Sequence, residues 1–374
     1  MSRTIRLLLL LILILTGCYD RVDLNELEIV VGIGLDVTED GKIKATVQVL
    51  NPSSLTNGNS DSEPFAQIES VAESFTEAVR YANLYSPNRL YYPHNRLIIF
   101  SEEFAKTHGT HHVIDWVMRT EEPREDLFIL ITSGEASDVL GTRFPTGPIP
   151  SFEITQIVLT SYVNSVSTVT TAFNYAKNLA SNIPITVFGR IEKTTETNGE
   201  MITYSGGALI EKHHFLDYLT ETETKGFNWL TGQYKTGLVV TRTKNTEDQF
   251  TFEIVRNNSK VSPVLKDGKL TFEVKTEVSG RIIKMKSSKS LLDPNAWPGY
   301  LQVIEEGIKS DMKAAIDKAH TTGDFLGLGD LVKRKFPNYW RDNEEAWEKI
   351  WPTASFTFDI HIAIHGVGKI NRFM

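Results

Sequence analysis

The chain has 374 residues, 41% of them hydrophobic and 23% charged, with 39 basic against 47 acidic side chains and a formal charge of −8. An acidic chain with no run of clustered Lys and Arg interleaved with aromatics excludes nucleic-acid binding and adhesion to anionic headgroups by charge. Its single cysteine, Cys18, excludes a disulfide within one chain, and its length calls for two or three domains rather than one core.

Arg3 and Arg6 precede an unbroken apolar run, Leu7 to Leu15. That run is about half of the ~20 residues a bilayer-spanning helix requires. It has the basic start, short apolar core and small residues of an export signal over residues 1–17. Leu15-Thr16-Gly17-Cys18 forms a lipobox of the bacterial lipoprotein type. In such a sequence the thiol is diacylated, and cleavage leaves Cys18 as the new N-terminus and lipid attachment site. Two acyl chains make a durable anchor. No later apolar stretch approaches spanning length, so the mature part is expected to be water-soluble and held by lipid alone.

The first strand is Ile29 to Asp36, a few residues after Cys18, which sets the body close to the bilayer. The second follows Gly41, with Ile43, Ala45, Val47 and Val49 alternating against polar neighbours. Residues 51–64 read as a surface loop. Ser70 and Glu73 have capping-box spacing for a helix with Val71, Phe75, Ala78, Val79 and Ala82 on one face. Leu97–Phe100 is expected as a buried strand, Ser101 to about Thr120 as one helix, Asp126–Thr132 as a strand, Gly134–Leu140 as a short helix and 154–180 as mostly helical. Residues 184–191 look extended. From Gly237, strands are expected over 238–243, 250–255 and 270–278, with Asp267-Gly268 as a turn. Leu301, Ile304, Ile308, Met312, Ala315 and Ala319 form an apolar helical stripe, and Glu305–Lys309 a pair on its solvated side. Phe356, Phe358, Ile360, Ile362 and Ile364 alternate in a last strand that must join the earlier meander.

The fold class is therefore mixed α/β, or α+β, in several domains. Residues 18–180 read as an N-terminal α/β domain and 181–235 as a middle region, possibly a small second domain. Residues 236–374 read as an α+β domain, a mainly antiparallel sheet of about four strands covered by long helices.

No motif carries catalysis. His108 and His112, four apart with His111 and Asp115 nearby, could share a metal, but no zincin glutamate lies between them and no third ligand is placed. No metal or cofactor is expected. His213-His214 are adjacent and point apart on a strand. Gly32-Ile33-Gly34 lacks the third glycine of a dinucleotide fingerprint, and its glycines suit close packing or a bend. Arg119, Glu122, Arg124, Glu125 and Asp126 form a charged cluster, either local ion pairs or a partner contact, with Pro123 stiffening the crossing.

Taken together, Cys18-Tyr19-Asp20, Glu26-Leu27 and Ile29 to Asp36 resemble the N-terminus of the Ger(x)C spore germination proteins, the lipoprotein C subunits of germinant receptors. Tyr19 departs from the family's usual tryptophan. Further matches are His94 to Phe100, Arg124-Glu125-Asp126, Gly206-Gly207-Ala208, Gly226 to Gly232 and the last strand, ending near Gly366. The resemblance implies three α/β domains in an extended arrangement. It also implies a non-enzymatic subunit on the outer face of the inner spore membrane, assembling with membrane-spanning A and B subunits. Only Cys18 carries over as a defined functional residue. The competing readings are an extracytoplasmic solute-binding lipoprotein, which calls for two similar lobes around a cleft, and, with least support, a wall-modifying enzyme.

Overall fold

The computed structural model describes Asp23 and residues 26–366, apart from 53, 55–62, 121, 182, 184, 197–198, 243–248 and 287–296. Near-continuous apolar runs mark strands buried on both faces, and three of these lie side by side in the larger sheet. They are β1 (Leu27–Val37), β5 (Leu97–Ser101) and β6 (Phe128–Thr132), all parallel. β7 (Ile185–Glu196) extends the parallel set beside β6. Antiparallel strands complete both sides: β2 (Ile43–Leu50) and β3 (Phe65–Ala72) beside β1, and β8 (Gly199–Glu211) and β9 (His214–Leu219) beside β7. The order is β3-β2-β1-β5-β6-β7-β8-β9, with the short β4 (Arg89–Tyr91) parallel to the first residues of β1.

Helices cover both faces of this sheet. On one lie α1 (Phe75–Ala82), α2 (Glu102–Thr107), α3 (His111–Arg119) and α6 (Ala172–Ala180), and on the other α4 (Ala136–Leu140) and α5 (Pro150–Thr160). Gly32 and Gly34 of β1 permit the second layer. A Cβ on Gly32 would lie 2.1 Å from Ser151 Oγ, and one on Gly34 3.1 Å from Leu140 and 3.2 Å from Ala136. Buried Asp36 accepts the Ala136 and Ser137 amides at 2.7 and 3.1 Å, satisfying the N-terminus of α4.

The second sheet has the order β10-β11-β12-β13: β10 (Gly237–Arg242), β11 (Gln249–Lys266), β12 (Lys269–Lys286) and β13 (Ser355–Gly366). Asp267 and Gly268 have φ of 50° and 74° at the β11–β12 turn. The last strand joins the meander as expected, pairing parallel to β12. That direction follows from the helical return through α8 (Trp297–Thr322), α9 (Leu328–Lys335), α10 (Pro337–Asn343) and α11 (Trp347–Ile350). The stripe on α8 buries Ile304, Ile308, Met312, Ala315 and Ala319, and Glu305 pairs with Lys309. The mixed fold, with a four-stranded C-terminal sheet under helices, is the one expected.

Local differences have identifiable causes. Ser70 lies buried in β3, where eight residues pair with β2, and its hydroxyl donates to the Ala78 carbonyl at 2.7 Å. The helix begins later, capped by Ser74 with Glu77 at the same spacing. The expected helix over 101–120 is two, α2 and α3, broken at Gly109 with φ of 70°. The stretch 154–180 is also interrupted. α5 starts at Pro150, and residues 164–171 run non-helically so that the Thr170 carbonyl can accept the Ile129 amide. Residues 181–235 supply β7, β8 and β9 to the first sheet. They also supply α7 (Glu221–Thr231), a helix absent from the expected elements although its capping box, Thr220 with Glu223, is legible in the sequence. Two sheets are built from the described residues, and one hydrophobic cluster runs from Ile185, Val187, Leu209 and Leu219 through α7 into the second.

Candidate anchor and contact surfaces

Cys18 and residues 1–17 lie outside the described residues. In β1, Leu27, Glu28 and Ile29 pair with Arg89, Leu90 and Tyr91 of β4. The charged cluster lies close by. Arg89 bonds Glu122 at 2.7 Å, Arg119 bonds Asp115, and Arg124 makes a fork to Asp126 at 2.7 and 2.6 Å over buried Pro123. These pairs are exposed and mutually neutralising, and exposed ion pairs contribute little to stability. The cluster presents ion pairs rather than a net charge for a partner.

The histidines converge in a way their spacing does not announce. The β8–β9 turn, with Lys212 and His213 at φ of 46° and 76°, folds against the break between α2 and α3. The His213 carbonyl accepts the Thr110 amide at 2.9 Å. The Tyr175 hydroxyl lies 2.7 Å from Thr110 Oγ1 and 3.2 Å from His213 Nδ1. His214 Nδ1 donates to the Lys106 carbonyl at 3.0 Å, and Gly109 leaves room for its ring. His108 instead donates from Nε2 to the Gly41 carbonyl at 3.0 Å, so it and His112 stand on either side of the helix break. His111 and His213 rings are 5.3 Å apart. Desolvation, then the neighbouring imidazoles, depress the pKa of both. Among the described residues no group of three or more His, Cys, Asp or Glu is placed to hold a metal ion. The arrangement pins a turn to a helix break.

The stretch Gly226–Gly232 lies at the junction of the two sheets. Asn228 donates to the Ser165 and Ser167 carbonyls at 3.0 and 2.8 Å, and Trp229 stacks on Tyr234 with centroids 3.8 Å apart. A Cβ on Gly226 would lie 2.0 Å from the Asp311 carbonyl oxygen of α8. Gly232 ends α7 with φ of 74°. Beside this junction opens a cleft of about 610 Å³. Its floor includes Val187, Phe227 and Phe325, and Lys177, Lys260 and Arg334 stand on its rim.

Sequence comparison then decides the family. Residues 20–192 match the description "Spore germination protein N-terminal domain", and residues 205–368 match "Spore germination B3/ GerAC like, C-terminal". The chain belongs to the Ger(x)C family of spore germination proteins. Within that family it is 26% identical to Spore germination protein KC of Bacillus subtilis (strain 168) over 92% of this chain and 90% of that protein. It is 23% identical to Spore germination protein B3 of the same organism, over 97% of each. The crystal structure of the GerBC protein superposes with a TM-score of 0.58 at 21% identity, covering 89% of this chain and 97% of that one. That likeness shares the fold. Membership of Ger(x)C gives the chain a role in spore germination. Among the described residues no helix is long and apolar enough to cross a membrane.

Proposed function

We propose that this chain is a lipid-tethered, non-enzymatic C subunit of a spore germinant receptor. Held through Cys18 on the outer face of the inner spore membrane, it contacts membrane-spanning A and B subunits and helps couple nutrient sensing to germination. One observation carries this reading: two consecutive germination-family regions, 20–192 and 205–368, follow directly on residues 1–17, which have the sequence pattern of an export leader, and on Cys18. The physical logic requires no active site. Confining a folded body to a thin layer beside its partners raises its effective concentration there, as linkage does in multivalent binding. Cys18→Ala is expected to release the chain from the membrane fraction and to slow germination. Normal retention together with normal germination would contradict the tether.

The cleft at the junction of the two sheets favours a second reading, direct capture of a small solute by an apolar floor with cations at its rim. The two halves are unlike, with nine strands against four, which departs from the paired lobes such capture calls for. Titration calorimetry of the chain with amino acids and sugars separates the readings. Saturable heat that Phe227→Ala abolishes supports capture, and its absence supports the contact reading.

A further inference from the structure

The loop between α1 and β4 holds two large apolar side chains out in water. Leu84 is 74% exposed and Tyr85 68%, with Tyr81 beside them at 44%. The loop's backbone is tied down. The Asn83, Leu84 and Tyr85 amides donate to the Arg80, Tyr81 and Ala82 carbonyls at 3.1, 2.8 and 3.2 Å. Asn83 Oδ1 accepts the Leu90 amide at 3.0 Å, and Asn88 Nδ2 donates to Glu28 at 3.3 Å. The two side chains therefore project from a fixed base.

Their place in the fold identifies what they meet. β4 runs parallel to β1 with Arg89 opposite Leu27, so residues 84–88 lie at the end of the sheet where the chain arrives from Cys18. Nine residue steps separate Cys18 from Leu27, a reach of at most about 30 Å at ~3.3–3.6 Å per residue. Leucine and tyrosine are side chains suited to the boundary between headgroups and acyl chains. Arg89 is neutralised by Glu122, and exposed Arg80 on the last turn of α1 adds a single flanking cation, so contact here rests mainly on apolar burial. Of the other exposed hydrophobics, Leu238, Val240, Val255 and Ile283 belong to the second sheet, and Leu159, Tyr162, Val163 and Phe173 to the stretch from α5 to α6; none lies on or directly before a strand paired with the start of β1, as the loop before β4 does.

We infer that Leu84 and Tyr85 form a membrane-facing tip that inserts into the lipid interface beside the anchor and sets the orientation of the body on the bilayer. The inference rests on the proposed lipidation of Cys18.

The test uses the mature, lipidated chain in phosphatidylcholine vesicles with no other protein. Because Cys18 is the only native cysteine and is acylated in this account, one introduced thiol takes an environment-sensitive dye selectively. Labelled Tyr85→Cys is expected to emit at shorter wavelength on vesicles and to be quenched by a lipid-borne quencher. Labelled Val240→Cys should keep its emission in water. Replacing a third of the lipid with phosphatidylglycerol can strengthen contact only modestly through Arg80, and high salt on phosphatidylcholine should leave the shift at position 85 in place. Flotation reports the tether separately. If the chain floats with vesicles while the dye at position 85 stays in water, the tip is refuted and the anchor stands. A shift seen only after adding membrane-spanning subunits assigns the tip to protein instead and also refutes it. A chain that does not float removes the anchor and the tip together.

Discussion

Asp311 on α8 is a carboxylate in the wrong solvent. Burial lifts its pKa from 3.8 to about 6, with Lys225 offsetting part of the effect. The native state therefore binds the proton more tightly than the unfolded chain, so the group's contribution to stability is lost as pH rises from about 4 through 6. Asp311→Asn should raise the unfolding free energy at pH 7.5 by an amount on the order of 1–3 kcal/mol, at about 1.4 kcal/mol per pKa unit. The gain should shrink toward pH 4, as read by thermal melts across pH. His111 and His213 act in the opposite sense. Their depressed values favour neutral rings in the folded state, so their contribution is present above the unfolded value of 6.5 and is lost as pH falls below it. His213→Gln should flatten the decline in melting temperature below pH 6.5. Buried Asp324 accepts the Leu328 and Gly329 amides at 2.9 and 2.7 Å and Trp347 Nε1 at 3.1 Å. Asp324→Ala strands these donors, and urea denaturation should show a loss of about 2–4 kcal/mol.

Among elements, the α7–α8 crossing is the most sensitive. Gly226 lets the two helix backbones approach, and Gly226→Ala would drive its Cβ into the Asp311 carbonyl and Ala315. The helices must then separate, at about 1–3 kcal/mol, and limited proteolysis should cleave the variant sooner than the parent chain. The sequence makes some elements plain and hides others for physical reasons. β5, β13 and the α8 stripe are legible because burial imposes an unbroken, two-residue or near-3.6-residue pattern on each. β3 is not, because it is a half-exposed flank strand whose pairing with β2, not its own composition, makes it extended. The break at Gly109 is set by the β8–β9 turn a hundred residues away, through Thr110 and His213. No local window contains that contact. The same distance hid the histidine cluster, whereas the Thr220–Glu223 capping box was local and available.

At the scale of the molecule, the two sheets are joined by more than their linking chain. Asn228 clamps the loop at Ser165 and Ser167, Lys318 of α8 pairs with Asp217 of β9, and one apolar core crosses the junction. Force or displacement at one sheet is thus transmitted to the other, which suits a body that works by contact. Removing the clamp with Asn228→Ala should give two resolved unfolding transitions by calorimetry where the parent shows one. In the proposed role, all of this acts in germination only if the body is moored beside partner subunits. Mass spectrometry of the mature N-terminus from spore membranes tests that most directly. The account predicts a chain beginning at Cys18 and carrying a diacylglyceryl group on sulfur, and a retained leader or a free Cys18 thiol would contradict it.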